Sequence, residues 1–286
     1  MDNRHMCRLL GFRSVIDGQV HQSLVKADNA LKTQSINHPD GWGVAYYLSG
    51  SPHIVKSTDM AKNSELFKKV SGVVSSRTVL AHIRKSTIGE STILNTHPYQ
   101  YGPWVFAHNG NIKNFDDCKE KIIKLIEPRM ANFILGETDS EVLFFYLLSH
   151  IKKQTSLEEP EIRTDELIAI LRKAIHDLEK ITGPVSDNDA PNTETFLTFL
   201  LTNGNFLIGH QGGKQLYYST HKHACPEVET CPKFNQTCLN PSDQGRVNHL
   251  IISSEPTLNE NVWNELQTYD FIGVDSDLEL TIDRVK

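Results

Sequence analysis

The dipeptide Met6-Cys7, close to the start of the chain, offers a nucleophile that can carry its own base. If the peptide bond before Cys7 is cut, the thiol gains the α-amino group of the same residue as a neighbour. That amine has a reference pKa of about 7.7 to 8, so it can take the thiol proton near neutral pH, directly or through one water. The alternative is that Cys7 is a small apolar residue in a buried strand.

A second candidate is His108-Asn109-Gly110, which directly follows the apolar segment 104–107 and is expected to form a turn. Glycine permits unusual backbone angles, so the Asn109 amide and the Gly110 N–H can point at one oxygen. Donors that converge in this way form an oxyanion hole for acyl transfer. An Asn-Gly pair also marks ordinary hairpin turns, and that simpler interpretation stays open.

Two charged residues at the ends of apolar segments suit the two ends of an amino acid. Arg84 ends a hydrophobic strand in the run 81–87, where its guanidinium can bind a carboxylate with two hydrogen bonds and Thr87 adds a hydroxyl. In the run 136–141, Thr138 or Asp139 is suited to cap the following helix, and the Asp139 carboxylate could instead receive an ammonium group. For Arg84 the alternative is a structural ion pair.

Together these residues predict a pocket for an amino acid whose side-chain carbonyl faces a thiol. Arg84 would bind the α-carboxylate, Asp139 the α-ammonium group, and the oxyanion hole the side-chain carbonyl oxygen. This arrangement is suited to hydrolysis of the side-chain amide of glutamine.

The elements that must position these residues are mostly strands, with helices between them. Apolar runs bounded by turn-forming residues predict strands in both halves of the chain, at 7–12, 44–47, 79–83, 104–107, 196–201, 205–209, 215–218, 249–254 and 270–274. Apolar residues at helical spacing predict helices around 141–151 and 167–178, followed by a polar loop at 183–195. Strands at both ends with helices between them indicate a layered α+β architecture rather than alternating βαβ units.

Bulk composition favours a small-molecule partner. The 286 residues carry a net charge of -6 without a basic, aromatic-rich patch, which argues against a nucleic-acid or anionic-membrane surface. No apolar run approaches the ~20 residues of a membrane helix, and the amino terminus lacks a signal-peptide core, so we expect a cytoplasmic protein. Five cysteines in a chain of this length favour reduced thiols over a disulfide framework.

The motifs, taken in order, resemble those of the class II glutamine amidotransferases, and within them the short type that includes γ-glutamyl amide hydrolases. The resemblance is densest from Met6 to Leu147 and continues to the end of the chain. It is carried by the following segments: Met-Cys-Arg-Leu-Leu-Gly at 6–11, His-Pro-Asp-Gly-Trp-Gly at 38–43, Ala-His-Ile-Arg at 81–84 with Thr87, Asn-Thr-His-Pro-Tyr at 95–99, His-Asn-Gly-Asn-Ile at 108–112 and Glu-Thr-Asp-Ser-Glu at 137–141.

The resemblance implies a four-layer αββα sandwich of the amino-terminal-nucleophile hydrolase type. It implies that Cys7 attacks the glutamine amide and forms a γ-glutamyl thioester, with Asn109 and Gly110 stabilising the oxyanion. Arg84, Thr87 and Asp139 would hold the amino-acid end, while His97, Gly41 and Trp42 would shape the pocket. It implies no metal or organic cofactor, and any acceptor of the ammonia would lie on a separate synthetase subunit.

The residues before Cys7 set a condition on this mechanism. We expect residues 1–6 to be a leader, a propeptide or added residues, and residues 7–286 to form a single domain. With residues 1–6 attached, Cys7 lacks a free amine and the chain should be largely inactive.

Two further possibilities follow from the sequence. Residues 221–238 contain His221, His223 and three cysteines, which are zinc-ligand types, but their spacing does not match the usual paired pattern, so we expect a reduced surface loop without metal. Different functions that fit the same fold are a non-catalytic, glutamine-sensing regulatory subunit, or an amino-terminal-nucleophile hydrolase that acts on another amide.

Overall fold

Two seven-stranded sheets form the centre of the protein. The structure is a computed structural model, and it describes residues 7–19, 21–86, 89–224, 228–229, 231–240 and 245–285. The first sheet has the strand order β12-β9-β11-β1-β4-β2-β3 and the second the order β10-β14-β13-β8-β7-β6-β5. The strands are β1 (Arg8–Gln19), β2 (Trp42–Leu48), β3 (Ser51–Ser57), β4 (Ser75–Ile83), β5 (Tyr99–Tyr101), β6 (Trp104–Asn111), β7 (Phe196–Thr202), β8 (Leu207–His210), β9 (Tyr217–Ser219), β10 (Gly245–Arg246), β11 (His249–Ser253), β12 (Asn264–Glu265), β13 (Phe271–Val274) and β14 (Glu279–Asp283).

Helices cover the outer faces of both sheets. They are α1 (Leu31–Gln34), α2 (Glu65–Val73), α3 (Phe115–Ile123), α4 (Pro128–Ala131), α5 (Asp139–Lys152) and α6 (Thr164–Thr182), with shorter helical turns at Gln22–Lys26, Ser35–Asn37, Ala61–Asn63 and Gln236–Cys238. Side chains such as Trp42 and Phe67 form one core between the first sheet and α2. Phe106 and Phe144 belong to a larger core between the second sheet and helices α3, α5 and α6.

A third core lies between the two sheets and contains Leu9, Leu80, Leu200 and Ile252. Because a sheet that is apolar on both faces must be covered on both, two stacked sheets with helices outside give four layers. The predicted α+β fold, an αββα sandwich, is therefore confirmed. Within the described residues, no helix is both long and apolar enough to cross a membrane.

Antiparallel pairing brings the ends of three neighbouring strands together at one end of the first sheet. Arg8 in β1 pairs with Ile83 in β4, and Ile83 also pairs with Trp42 in β2. The start of β1, the end of β4 and the start of β2 are therefore adjacent. The residues just outside these strands, Cys7, Arg84 and Gly41, lie together at that end of the sheet.

Candidate active site

Cys7 lies just before strand β1, and its side chain contacts the backbone of Lys85. Its Sγ donates to the Lys85 carbonyl oxygen at 3.3 Å and accepts from the Lys85 N–H at 3.2 Å. The Arg8–Ile83 pair is the last of the β1–β4 pairs at this end, and Cys7 and Lys85 lie just beyond it. These side-chain bonds to the Lys85 backbone hold the thiol there.

The thiol lies in a charged but desolvated environment. Burial raises the pKa of Cys7 to about 11, because a thiolate removed from water is disfavoured. The Lys85 N–H and the positive charges of Arg84 and Arg8 lower the pKa by smaller amounts, and the Asp139 carboxylate raises it. All three charged residues therefore act on the sulfur, and the thiol needs a nearby base to react at neutral pH.

Arg84 is buried, and its backbone connects it to Gly41. Its N–H donates to the Gly41 carbonyl at 2.8 Å, and its Nη2 donates to Ser86 Oγ at 3.1 Å and to the Gly89 carbonyl at 3.3 Å. Gly41 has φ of +126°, and a Cβ there would lie 2.8 Å from the Ser57 carbonyl oxygen. Glycine is required at this point because a larger residue would push the loop away from Arg84. Thr87, which the sequence places beside Arg84, lies outside the described residues.

Asp139 begins α5, where the helix N-terminus favours a carboxylate. It is buried, and its Oδ2 accepts the backbone N–H of Ile112 at 2.7 Å while its Oδ1 accepts the Ser140 hydroxyl at 3.2 Å. Each carboxylate oxygen has further acceptor capacity for an ammonium group. Of the two capping candidates in the sequence, Thr138 is the N-cap and accepts the Glu141 N–H at 3.2 Å.

The expectation that Asn109 and Gly110 form a turn is wrong, because both lie inside strand β6. They pair with Thr198 and Leu197 of β7. Gly110 is needed for close approach rather than for an unusual φ, since a Cβ there would lie 2.0 Å from the Phe196 carbonyl oxygen. Asn109 is buried, and its Oδ1 has no hydrogen-bond partner among the described residues. The oxyanion hole proposed for Asn109 and Gly110 depends on N–H donors, and residues within a strand can also supply these.

His97 and Trp42, the other two residues predicted to shape the pocket, have different surroundings. Both ring nitrogens of His97 lack a hydrogen-bond partner within the described part of the chain, and its ring centroid lies 4.3 Å from that of His82. Burial lowers the pKa of His97 well below its usual value, so the imidazole is neutral. Trp42 instead packs edge-on against Phe67 in the core, at 5.0 Å. Gly43 lets the His97 carbonyl pass where a Cβ would lie 2.1 Å from it.

A cavity of about 390 Å³ is lined by residues of both sheets, such as Arg8 of β1 and Asn109 of β6. Its lining includes Asn109, Arg8, Ser254, Glu255 and Lys214. Arg8 connects the cavity to the nucleophile, because its Nη1 donates to the Cys7 carbonyl at 3.3 Å. Of these residues, the sequence-based prediction singled out only Asn109. Arg8 directly follows Cys7 in the sequence, and this adjacency was a signal for it. Lys214, which follows two glycines in a loop, had no such signal.

The segment 221–238 is only partly described, because Cys225 lies outside the described residues. Cys231 and Cys238 are both reduced, and the Cys238 sulfur accepts a hydrogen bond from Asn248 Nδ2 at 2.9 Å. Across the described ranges, no group of three or more His, Cys, Asp or Glu side chains is placed to hold a metal ion.

Comparison with known families gives one match that covers most of the chain. The family model described as "Glutamine amidotransferases class-II" matches residues 6–273. A "Probable glutamine amidotransferase" of Saccharomyces cerevisiae is 27% identical over 223 residues, which are 71% of this chain and 62% of that protein. An "Uncharacterized protein" of Methanocaldococcus jannaschii is 33% identical over 171 residues, 58% of this chain and 44% of that protein. The matches thus span 44% to 62% of these relatives' own lengths.

Solved structures show the same fold at low sequence identity. The chain superposes on a glutamine aminotransferase class-II domain protein from Silicibacter pomeroyi with a TM-score of 0.61 and 18% identity, covering 97% of this chain and 99% of that one. It also superposes on glutamine phosphoribosylpyrophosphate amidotransferase from B. subtilis with a TM-score of 0.60 and 13% identity, covering 97% of this chain and 49% of that one. At this identity the likeness supports the fold alone.

Proposed function

The chain belongs to the class II glutamine amidotransferases, and from this premise we propose that it hydrolyses the γ-amide of glutamine or of a γ-glutamyl compound. The products are glutamate and either ammonia or an amine. The observation that carries the proposal is where the strands place these residues: Cys7 and Arg84 lie just beyond the paired ends of β1 and β4. The Asp139 carboxylate, whose charge raises the pKa of Cys7, accepts the N–H of Ile112 just after β6. One cation and one carboxylate beside a nucleophile match the two ends of an amino acid.

The proposed reaction begins when the Cys7 sulfur attacks the γ-carbonyl carbon. The negative charge that develops on the carbonyl oxygen is stabilised by donors from Asn109 and Gly110 on strand β6. The C–N bond then breaks, the amine leaves with a proton, and a γ-glutamyl thioester remains. Water hydrolyses the thioester and releases glutamate.

Proton transfer in both steps depends on the α-amino group of Cys7. The thiol pKa of about 11 means that the thiolate is scarce at neutral pH without a base. We therefore propose that the bond between Met6 and Cys7 is cut before the enzyme works, which would leave residues 7–286 as a single active domain. The freed amine has a reference pKa of about 7.7 to 8 and can accept the thiol proton.

The amino-acid end of the substrate would bind at the end of the first sheet where β1, β4 and β2 meet. Arg84 would bind the α-carboxylate, with Thr87 beside it, and Asp139 the α-ammonium group. Gly41, Trp42 and His97 would shape this pocket, Gly41 through its backbone contact with Arg84 and Trp42 through its packing in the core. No organic cofactor takes part in these steps.

Transfer of the ammonia to an acceptor, where it occurs, is proposed to need a separate synthetase subunit. The proposed chemistry also requires a reduced thiol, and Cys7, Cys118, Cys231 and Cys238 are all free. A reducing compartment such as the cytoplasm is therefore the proposed location.

The test is covalent labelling combined with glutamate release. Protein whose mass shows that Cys7 is the first residue is incubated with glutamine and, separately, with a diazoketone analogue of glutamine. We expect glutamate release, and one label per chain located on Cys7. Replacement Cys7→Ala should abolish both, whereas the matched control Cys231→Ser should keep both.

Two results would contradict the proposal. Full glutamine turnover in protein whose mass still includes residues 1–6 would exclude the α-amino group as the base. Tight glutamine binding without turnover or labelling of the processed chain would instead support the non-catalytic, glutamine-sensing function.

A further inference from the structure

The hydrogen bonds of His108 determine which of its ring nitrogens carries a proton. His108 lies in β6 and is 1% exposed, and its Nε2 lies 2.9 Å from the Phe196 carbonyl oxygen. A carbonyl oxygen can only accept a hydrogen bond, so Nε2 must be the donor. Gly110 leaves the space for this bond, because a Cβ there would lie 2.3 Å from Nε2 and 2.0 Å from the Phe196 oxygen. The pairing of β6 with β7 therefore selects the tautomer that is protonated on Nε2.

The other ring nitrogen of His108 is an acceptor as a consequence. Burial lowers the pKa of His108, and the nearby Asp139 carboxylate raises it by a smaller amount, so the imidazole is neutral at pH 7. A neutral imidazole has one N–H, and in His108 Nε2 carries it. Nδ1 therefore accepts a hydrogen bond from the Ser140 hydroxyl, whose Oγ lies at 2.9 Å.

The Ser140 hydroxyl lies between His108 and Asp139. Its Oγ is 2.9 Å from His108 Nδ1 and 3.2 Å from Asp139 Oδ1, and Ser140 is buried. A hydroxyl has one proton, so it can make a full hydrogen bond to only one of these two acceptors at a time. His108 Nδ1 therefore gives the Ser140 proton an alternative to the carboxylate.

The direction of this one proton changes what Asp139 offers to a ligand. Its Oδ2 already accepts the Ile112 N–H at 2.7 Å. When the Ser140 hydroxyl donates to Oδ1, both carboxylate oxygens hold a donor of the protein, which weakens their attraction for an ammonium group. When the hydroxyl turns to His108, Oδ1 keeps its lone pairs for a charge-assisted hydrogen bond with the ligand.

We propose that His108 is a positioning residue for the substrate: its Nδ1 takes the hydrogen bond of the Ser140 hydroxyl when the substrate binds, which leaves Asp139 Oδ1 to the α-ammonium group. The inference rests on the proposed function, because it takes Asp139 as the residue that binds this ammonium group. In this role His108 acts through Ser140 and does not itself contact the substrate.

The test combines two substitutions and measures glutamine binding. Calorimetry is done on Cys7→Ala protein that begins at residue 7, so that bound glutamine is not cleaved. His108→Gln keeps an amide donor for the Phe196 carbonyl but removes the acceptor at Nδ1. We expect it to weaken glutamine binding about tenfold, because the Ser140 hydroxyl then donates to Asp139. With Ser140→Ala also present, His108→Gln should change the dissociation constant less than twofold.

His210→Gln is the matched control. His210 is also fully buried in the second sheet, where its Nδ1 lies 3.2 Å from the Asp270 carbonyl oxygen. This replacement should lower the melting temperature without weakening glutamine binding. In the processed enzyme with Cys7 intact, His108→Gln should raise KM for glutamine about tenfold and keep kcat within threefold, because the thiol and the proposed oxyanion donors are unchanged.

The outcomes separate this inference from the proposed function. If His108→Gln weakens binding equally with and without the Ser140 hydroxyl, or does not weaken it at all, the positioning role is refuted; the proposed function still stands where the processed chain hydrolyses glutamine. If the effect depends on Ser140 but the processed chain releases no glutamate, the positioning role stands and the proposed chemistry is refuted. A protein that binds no glutamine would refute both.

Discussion

Replacing Gly110 by alanine tests whether strand β6 must approach β7 as closely as the structure has it. The new Cβ would lie 2.0 Å from the Phe196 carbonyl oxygen and 2.3 Å from His108 Nε2, whereas ordinary contacts of a Cβ begin near 3.4 Å. The strand must therefore move by roughly 1.4 Å at this point. The neighbour is backbone, so it cannot rotate away as a side chain could, and the overlap should cost about 1–3 kcal/mol of unfolding free energy.

The same displacement should reduce catalysis, because Asn109 and the Gly110 N–H move with the strand. Oxyanion donors act at roughly 2.7–3.1 Å, so a shift of this size removes at least one of them, which costs about 10²- to 10³-fold in kcat. Urea unfolding followed by circular dichroism measures the first effect, and glutamate release by processed enzyme measures the second.

Gly72→Ala is the matched control for the alanine substitution at Gly110. Gly72 lies exposed in α2 with nothing within 4 Å of a built Cβ. Alanine there should stabilise the protein by about 0.5–1 kcal/mol, because glycine loses more backbone entropy in a helix. A Gly110→Ala protein that unfolds at the wild-type urea concentration and keeps kcat within threefold would refute the close-approach argument.

Three further changes test the site and the core. Alkylation of Cys7 by iodoacetamide in unprocessed chain should keep accelerating from pH 7 toward a pKa of about 11, because burial disfavours the thiolate; a rate that levels off below pH 8, measured by peptide mass spectrometry, would contradict this. Asp139→Asn should raise KM for glutamine at least tenfold, because the carboxylate proposed to bind the ammonium group is lost. It should also lower the melting temperature, because the buried N–H of Ile112 loses a charged acceptor; unchanged KM in a folded variant would exclude the ammonium-binding role. Phe67→Ala should cost about 3–5 kcal/mol in urea unfolding because the ring is fully buried, against less than about 0.5 kcal/mol for Val73→Ala, which is 80% exposed; equal losses would show that the packing of α2 contributes little.

Much of the fold could be predicted because its strands alternate with clear turn signals and its two longest helices carry apolar residues at helical spacing. The predicted strands around 79–83 and 196–201 correspond to β4 and β7, and the predicted helices to α5 and α6. Elements without such a signal were missed. Strand β3 (Ser51–Ser57) carries few apolar residues at the edge of its sheet, and α2 is only nine residues long.

The local structure around the proposed oxyanion donors could not be predicted from the sequence. The sequence places Asn109 and Gly110 after an apolar run, and an Asn-Gly pair normally ends a strand. Here the strand continues to Asn111, because pairing with Phe196, Leu197 and Thr198 supplies backbone hydrogen bonds that local propensity does not report. Tertiary pairing therefore overrode the turn signal, and the proposed donors Asn109 and Gly110 lie within strand β6 instead of in a turn.

Lys214 shows most clearly why the cavity next to Asn109 is hidden in the sequence. The run Gly212-Gly213-Lys214 has the composition of a flexible surface loop, yet a Cβ on Gly213 would lie 2.1 Å from the Ser186 carbonyl oxygen. The two glycines let the loop pass between β7 and the polar segment 183–195, and Thr198 Oγ1 then holds the Lys214 N–H at 2.9 Å. Asn188, from that same polar segment, accepts the ammonium group. The segment 183–195, which reads as a connection between α6 and β7, thus contributes Asn188 to the lining of the cavity and holds the ammonium group of Lys214 in place.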